Sequence, residues 1–257
     1  MCDNGEQNQG SCCPPGSLPA LKVPEDYKPQ GTWDELSDGF KVYTVDKSNA
    51  EAKRAIVVIS DIFGADTSRH AGVCDTLAEN LECVVVMPDL HRGDGLVPDH
   101  LGKPEMYEQV KRHPIEDVQR DLDEIYAKLS KEDVTSIGLI GFCWGAWVVF
   151  HESTRCADER LRAGANFHPS LGIEQVFGGK VEDLAAGIKL PQLMAPTGDE
   201  DKNVKPGGCL PEDKIAFELF EECKHGFMVR GDVKNETTRG HVERGLKVCT
   251  EFFRNKL

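Results

Sequence analysis

The stretch Ser136-Ile-Gly-Leu-Ile-Gly-Phe-Cys-Trp-Gly145 decides the fold. Its first half is a short apolar run of the kind that forms an interior strand, and its second half is a Gly-x-Cys-x-Gly turn. Such a turn ends a strand, bends sharply and opens a helix. Its central residue is forced into strained backbone, and small residues two before and two after it keep strand and helix from colliding. The bend aims the Cys143 thiol at a reaction centre. A helix starting near Trp144 sets the partial positive charge of its N-terminus beside that sulfur and favours the thiolate. Most free cysteines are buried and inert, but two glycines at this spacing after an apolar strand argue for a nucleophile.

Working outward, Ala55–Ile59 and Cys83–Met87 are continuous β-branched runs that read as interior parallel strands, whereas Phe40–Val45 alternates like a half-exposed one. Apolar residues at near-helical spacing over 68–80 complete a strand–helix–strand unit. After Pro114, the positions Ile115, Val118, Leu122, Ile125, Tyr126 and Leu129 form the clearest amphipathic helix. A helix over 144–156 and strands at Ala163–Phe167, Gln192–Ala195 and Ile215–Phe220 follow, the last alternating and therefore expected near the sheet edge. Val242, Leu246, Cys249 and Phe253 mark a closing helix. Alternating strands and helices specify an α/β fold, a mostly parallel sheet covered on both faces, with chemistry at the carboxyl ends of the strands.

The chain has 257 residues and a formal charge of −14, which argues against a nucleic-acid or anionic-membrane surface. No apolar run is long enough to span a bilayer, and the N-terminus does not read as a signal peptide. Its 10 cysteines, spread over a long chain without an export signal, are expected to be reduced thiols in a cytosol-like compartment. The final Asn255-Lys256-Leu257 loosely echoes the peroxisomal Ser-Lys-Leu signal. Residues 1–31, rich in Asn, Gln, Gly and Pro, are expected to be a poorly ordered or loosely draped arm, leaving one domain over 32–257. The pair Cys12-Cys13, with Cys2 and Pro14-Pro15-Gly16, has neither metal-ligand nor Cys-x-x-Cys spacing.

A cysteine nucleophile needs a base and a group that orients the base. Gly198-Asp199-Glu200-Asp201 follows one late strand, and Cys223-Lys224-His225-Gly226-Phe227 follows the next, giving the order nucleophile, acid, histidine. His225 is the best base among 8 histidines; His91 and His168, which also follow strands, are candidate pocket walls. Spacing alone does not separate Asp199 from Asp201, and Glu200 is expected to point the other way.

On these motifs the chain resembles the dienelactone hydrolase family of α/β-hydrolases over roughly residues 35–257. The family's acid lies in a Gly-x-x-Asp-x-x-Val pattern that Gly198-x-x-Asp201-x-x-Val204 matches, favouring Asp201. His225-Gly226-Phe227 matches its His-Gly-Phe signature, and Ser60-Asp61-Ile62-Phe63-Gly64 resembles the exit of its first parallel strand, with Asp61 where the best-known bacterial members carry glutamate. The resemblance implies that Asp61 helps control the protonation of Cys143 and that the backbone amides of Ile62 and Trp144 hold the oxyanion. It also implies that Arg92 and Arg230 lie near the places where two arginines grip a substrate carboxylate. The expected activity is hydrolysis of a small lactone or activated ester through an acyl-enzyme, without metal or organic cofactor, by a monomer or weak homo-oligomer. A general carboxylesterase, a glycan-processing hydrolase and a non-catalytic small-molecule binder on the same scaffold are the alternatives.

Overall fold

Eight strands form one sheet in the computed structural model, which describes residues 13–23, 27–49 and 53–257. They are β1 (Thr32–Glu35), β2 (Lys41–Asp46), β3 (Lys53–Ile59), β4 (Val84–Pro88), β5 (Val134–Phe142), β6 (Leu161–Phe167), β7 (Gln192–Ala195) and β8 (Ile215–Phe217). Their spatial order is β1-β2-β4-β3-β5-β6-β7-β8. The pairs β1–β2 and β2–β4 are antiparallel, and every pair from β4 to β8 is parallel. The continuous apolar runs are the central strands, as their two-sided burial requires. The alternating segment Ile215–Phe217 is the edge strand. β1, too polar to stand out in the sequence, is fully exposed along its length.

Alternation along the strands divides the interior into two layers. Ala55, Val57 and Ile59 face one core, shared with Val118, Leu122, Ile125 and Leu129 of α3 (Ile115–Lys131) and Trp147 and Val148 of α4 (Trp144–Arg155). Ile56 and Val58 face the other, shared with Val73, Leu77 and Leu81 of α1 (His70–Leu81) and Val242, Cys249 and Phe253 of α7 (Glu236–Arg254). The shorter α2 (Pro104–Lys111), α5 (Val181–Gly187) and α6 (Phe227–Arg230) sit in connections whose sequences are too brief to show a period. Among the described residues no helix is long and apolar enough to cross a membrane.

The register brings the candidate residues together. Ile59 pairs with Gly141, Gly141 with Asn166, and Asn166 with Met194, so four parallel strands end in one row. Asp61, Cys143 and His168 each lie two residues beyond that row, at the carboxyl edge where the loops of such sheets carry chemistry. Residues 1–12 and 24–26 of the N-terminal arm, with Cys2 and Cys12, lie outside the described residues. The described part runs over the same edge: Leu18 N–H donates to the His225 carbonyl at 3.0 Å, and Leu21 exchanges two hydrogen bonds with Ser68. Farther along, Asp75 accepts from the hydroxyls of Tyr27 and Tyr43 and from Gln30 N–H.

Candidate active site

Cys143 caps the N-terminus of α4 with φ 55 and ψ −113, a backbone conformation that side chains rarely adopt. The glycines on either side explain how it is held. A Cβ at Gly141 would stand 2.4 Å from the Gly145 carbonyl carbon, and one at Gly145 would stand 2.4 Å from the Ile59 carbonyl oxygen. Strand, turn and helix therefore touch backbone to backbone. Cys143 N–H donates to Phe167 O at 3.1 Å and Cys143 O accepts from Ser170 N–H at 3.1 Å, fixing the bend on both sides.

His225 is buried, and its Nδ1 lies 2.7 Å from Glu200 Oε1. This corrects the choice of Asp201 and the expectation that Glu200 points away. That expectation treats the acidic run as extended, but Glu200 N–H bonds back to Thr197 O at 3.3 Å, and the turn brings the Glu200 side chain inward. The three consecutive acids have three jobs. Asp199 accepts the His225 backbone N–H at 3.0 Å, Glu200 faces the ring, and the exposed Asp201 caps the short turn Lys202–Val204 through Asn203 N–H at 2.7 Å. Thr197 Oγ1 stands between the first two, 2.6 Å from Asp199 and 3.1 Å from Glu200.

Burial alone drives the His225 ring toward neutrality, but the Glu200 carboxylate and the Cys143 and Cys13 sulfurs outweigh it and hold its pKa well above the ordinary value. A cationic imidazole beside a sulfur is the condition that stabilises a thiolate. Ser170 Oγ lies 3.3 Å from Cys143 Sγ. Both residues held as pocket walls are close: the His168 ring lies 5.0 Å from that of His225, and the His91 ring 4.4 Å from that of Trp144. Burial is the first cause of the low pKa of each, pushing His168 well down and His91 to about 3, so both are neutral walls.

The arm brings a second sulfur. Cys13, almost fully buried, places its Sγ 3.5 Å from Cys143 Sγ, and the two sulfurs and a His225 ring nitrogen all lie within 4.8 Å of one another. Cys143 itself has no exposed surface. Cys13 is 130 positions from Cys143, and no local pattern in the sequence announces their meeting.

The remaining candidates divide. Asp61 is buried; its Oδ1 accepts Phe63 N–H at 3.0 Å and its Oδ2 pairs with Arg230 Nε at 3.2 Å. Arg230 has a fully buried side chain that lies over the Phe63 ring, with its guanidinium facing Asp61. Arg92 is spent on Asp121 at 2.6 Å. It borders a surface cavity of about 390 Å³ with His91, Arg112, His113 and Arg120, whose lining does not include Cys143. Ile62 and Trp144 leave the adjacent strands β3 and β5, each three residues past the Ile59–Gly141 pair, and Trp144 opens α4, where amides lack intrahelical acceptors.

A strained cysteine elbow at the carboxyl edge of a largely parallel sheet, with a carboxylate-held histidine from a later loop, defines the α/β-hydrolase class of enzyme. The dienelactone hydrolase family matches residues 40–257, and the chain belongs to that family. It is 29% identical over 210 residues to the carboxymethylenebutenolidase homolog of Rattus norvegicus, covering 80% of this chain and 78% of the relative. It is 25% identical over 254 residues to the hydrolase pyvD of Aspergillus violaceofuscus, covering 96% of each. A candidate dienelactone hydrolase from Klebsiella pneumoniae shares the fold at 18% identity with a TM-score of 0.65, covering 87% of this chain and 98% of that one.

Proposed function

We propose that the protein hydrolyses a small lactone or activated ester through a covalent thioester on Cys143. The observation that carries this reading is the buried group of Cys143, His225 and Glu200, in which a strained elbow presents the sulfur to a histidine whose far nitrogen is held at 2.7 Å. The Cys143 thiolate adds to the substrate carbonyl carbon, and the carbonyl oxygen takes the negative charge. The backbone amides of Ile62 and Trp144 are the donors for that oxyanion, and donors fixed in advance toward developing charge are the largest usual source of acceleration. Collapse of the adduct breaks the carbon–oxygen bond, and the imidazolium of His225 protonates the departing alkoxide or enolate. In a lactone that oxygen stays on the acyl chain. Neutral His225 then removes a proton from water, which attacks the thioester and expels the thiolate.

Thiolate leaves more readily than alkoxide, so substrates with good leaving groups are favoured over simple esters and amides. Glu200 keeps Nδ1 as the donor and turns Nε2 to the sulfur, a tautomer assigned from its hydrogen-bond partner. The test is turnover of an aryl ester together with intact-protein mass. The wild type accumulates an acyl adduct on the Cys143 peptide, and Cys143→Ala loses both adduct and turnover while its unfolding midpoint stays near that of the wild type. Undiminished turnover by a folded Cys143→Ala variant refutes the mechanism.

A further inference from the structure

We propose that Cys13, Cys143 and His225 form a binding site for one thiophilic divalent cation of the zinc type, and that this cation switches the enzyme off. The inhibitory consequence rests on Cys143 being the nucleophile; the binding itself does not.

The donor set is the first argument. Two sulfurs and a ring nitrogen, all buried, lie within 4.8 Å of one another. With Zn–S bonds of about 2.3 Å, two thiolates on a tetrahedral ion stand about 3.8 Å apart. The observed sulfur separation of 3.5 Å is within a few tenths of that, and far from the roughly 2.05 Å of a disulfide.

The histidine is the second. Glu200 takes Nδ1 at 2.7 Å, which leaves the buried Nε2 as the ring nitrogen available to the two sulfurs. A carboxylate behind a histidine is the usual outer partner of a metal-bound imidazole, because it fixes the tautomer and raises the basicity of the ligating nitrogen. The arm is the third. Leu18 N–H on the His225 carbonyl and the Leu21–Ser68 pair fasten the chain on the far side of Pro14-Pro15, so Cys13 is held over the site by backbone bonds.

A second cluster, Glu222, Cys223 and His241, provides the internal contrast. There Glu222 is exposed and its Oε1 already faces Arg244 at 2.8 Å, a cation that repels a metal ion. At the proposed site the facing groups are two thiols and an imidazole backed by a carboxylate. Binding displaces whatever protons the two sulfurs and the ligating ring nitrogen carry beforehand, because each of them binds a metal ion only when deprotonated. The bound ion then occupies the sulfur lone pair that attacks substrate and the nitrogen that moves the proton. Three protein ligands leave a fourth position for water.

The experiment uses the full chain, reduced and metal-free under anaerobic conditions, titrated with zinc while aryl-ester turnover is followed, and with cobalt(II) while thiolate-to-metal absorption is read. One equivalent is expected to bind, with activity lost in step and restored by a chelator. In Cys13→Ala the zinc affinity, read from the cobalt(II) spectrum and by competition with a chelator, falls by about 100-fold or more, at least the upper cost of losing an outer partner. Cys223→Ala behaves as wild type. Equal zinc affinity in Cys13→Ala, or zinc loss in Cys223→Ala instead, overturns the proposal. So does inactivation reversed by thiol reductant and not by chelator, which identifies a disulfide. A Cys13-dependent cobalt spectrum in a protein that hydrolyses no ester sustains the site while removing the proposed function.

Discussion

Glu200 Oε1 stands 2.7 Å from His225 Nδ1 while the preceding Asp199 holds the backbone N–H of the same histidine at 3.0 Å. Orientation of the proposed base is thus shared between two neighbouring carboxylates, one on the ring and one on the main chain. Glu200→Gln preserves the size of the side chain but removes the charge and allows the wrong tautomer, so kcat is expected to fall by about 10²- to 10⁴-fold. Asp201→Asn, altering an exposed turn cap, should leave kcat within about twofold. Steady-state rates on one aryl ester decide the matter, and equal losses in the two variants would return the orienting role to an open question.

The buried Asp61–Arg230 pair predicts a pattern of stabilities. Arg230→Met removes the cation that faces the Asp61 carboxylate, and Asp61→Asn removes the carboxylate that faces the guanidinium; each is expected to cost about 3–5 kcal/mol. Removing both charges together restores much of the loss, because two uncompensated buried charges disappear at once. Urea unfolding of the two single variants and the double variant supplies the cycle. Additive losses would show that the pair is not coupled.

His91 gives the pH dependence a sign. Folded, it stays neutral down to about pH 3, whereas the unfolded chain takes up its proton near 6.5. Between those values the unfolded state binds more protons, so the contribution of His91 is fully present above about pH 6.5 and is lost progressively as pH falls. Its slope is about 1.4 kcal/mol per pH unit, or about 2 kcal/mol by pH 5. His91→Gln should therefore lose less stability than the wild type between pH 7 and pH 5. Parallel urea midpoints for the two proteins across that range would count against it.

The elbow glycines predict an intolerance that propensity alone does not. Gly145→Ala improves helix propensity by about 1 kcal/mol, yet its Cβ meets the Ile59 carbonyl oxygen at 2.4 Å. A backbone atom cannot move aside as a side chain can, so the net effect is a loss of about 1–3 kcal/mol. A thermal midpoint equal to or above that of the wild type would contradict the packing argument.

The arm is also expected to control access to Cys143. Leu18→Pro removes the N–H that bonds to the His225 carbonyl. Alkylation of Cys143 by iodoacetamide, read by peptide mapping, should then run several-fold faster than in the wild type, where Cys143 has no exposed surface. An unchanged rate would mean that this bond does not hold the cover in place.

The sheet was legible because its strands are buried on both faces: Gln192–Ala195 coincides with β7, and Ala55–Ile59 lies within β3. The elbow was legible because its glycines answer to backbone contacts that no other residue fits. Asp201 was misread because motif spacing fixes which loop carries the acid but not how that loop turns, and the Thr197–Glu200 hydrogen bond reverses which carboxylate faces inward. The pairing of Arg92 with Asp121 was not legible because Asp121 belongs to a helix 29 positions away. Cys13 was invisible for the same reason on a larger scale, its partner lying 130 positions along the chain.

The Leu18–His225 bond joins segments more than two hundred positions apart in the sequence. Closing so long a loop carries an entropic cost that one hydrogen bond does not meet, so the strap depends on the strands and helices between its two ends being folded already.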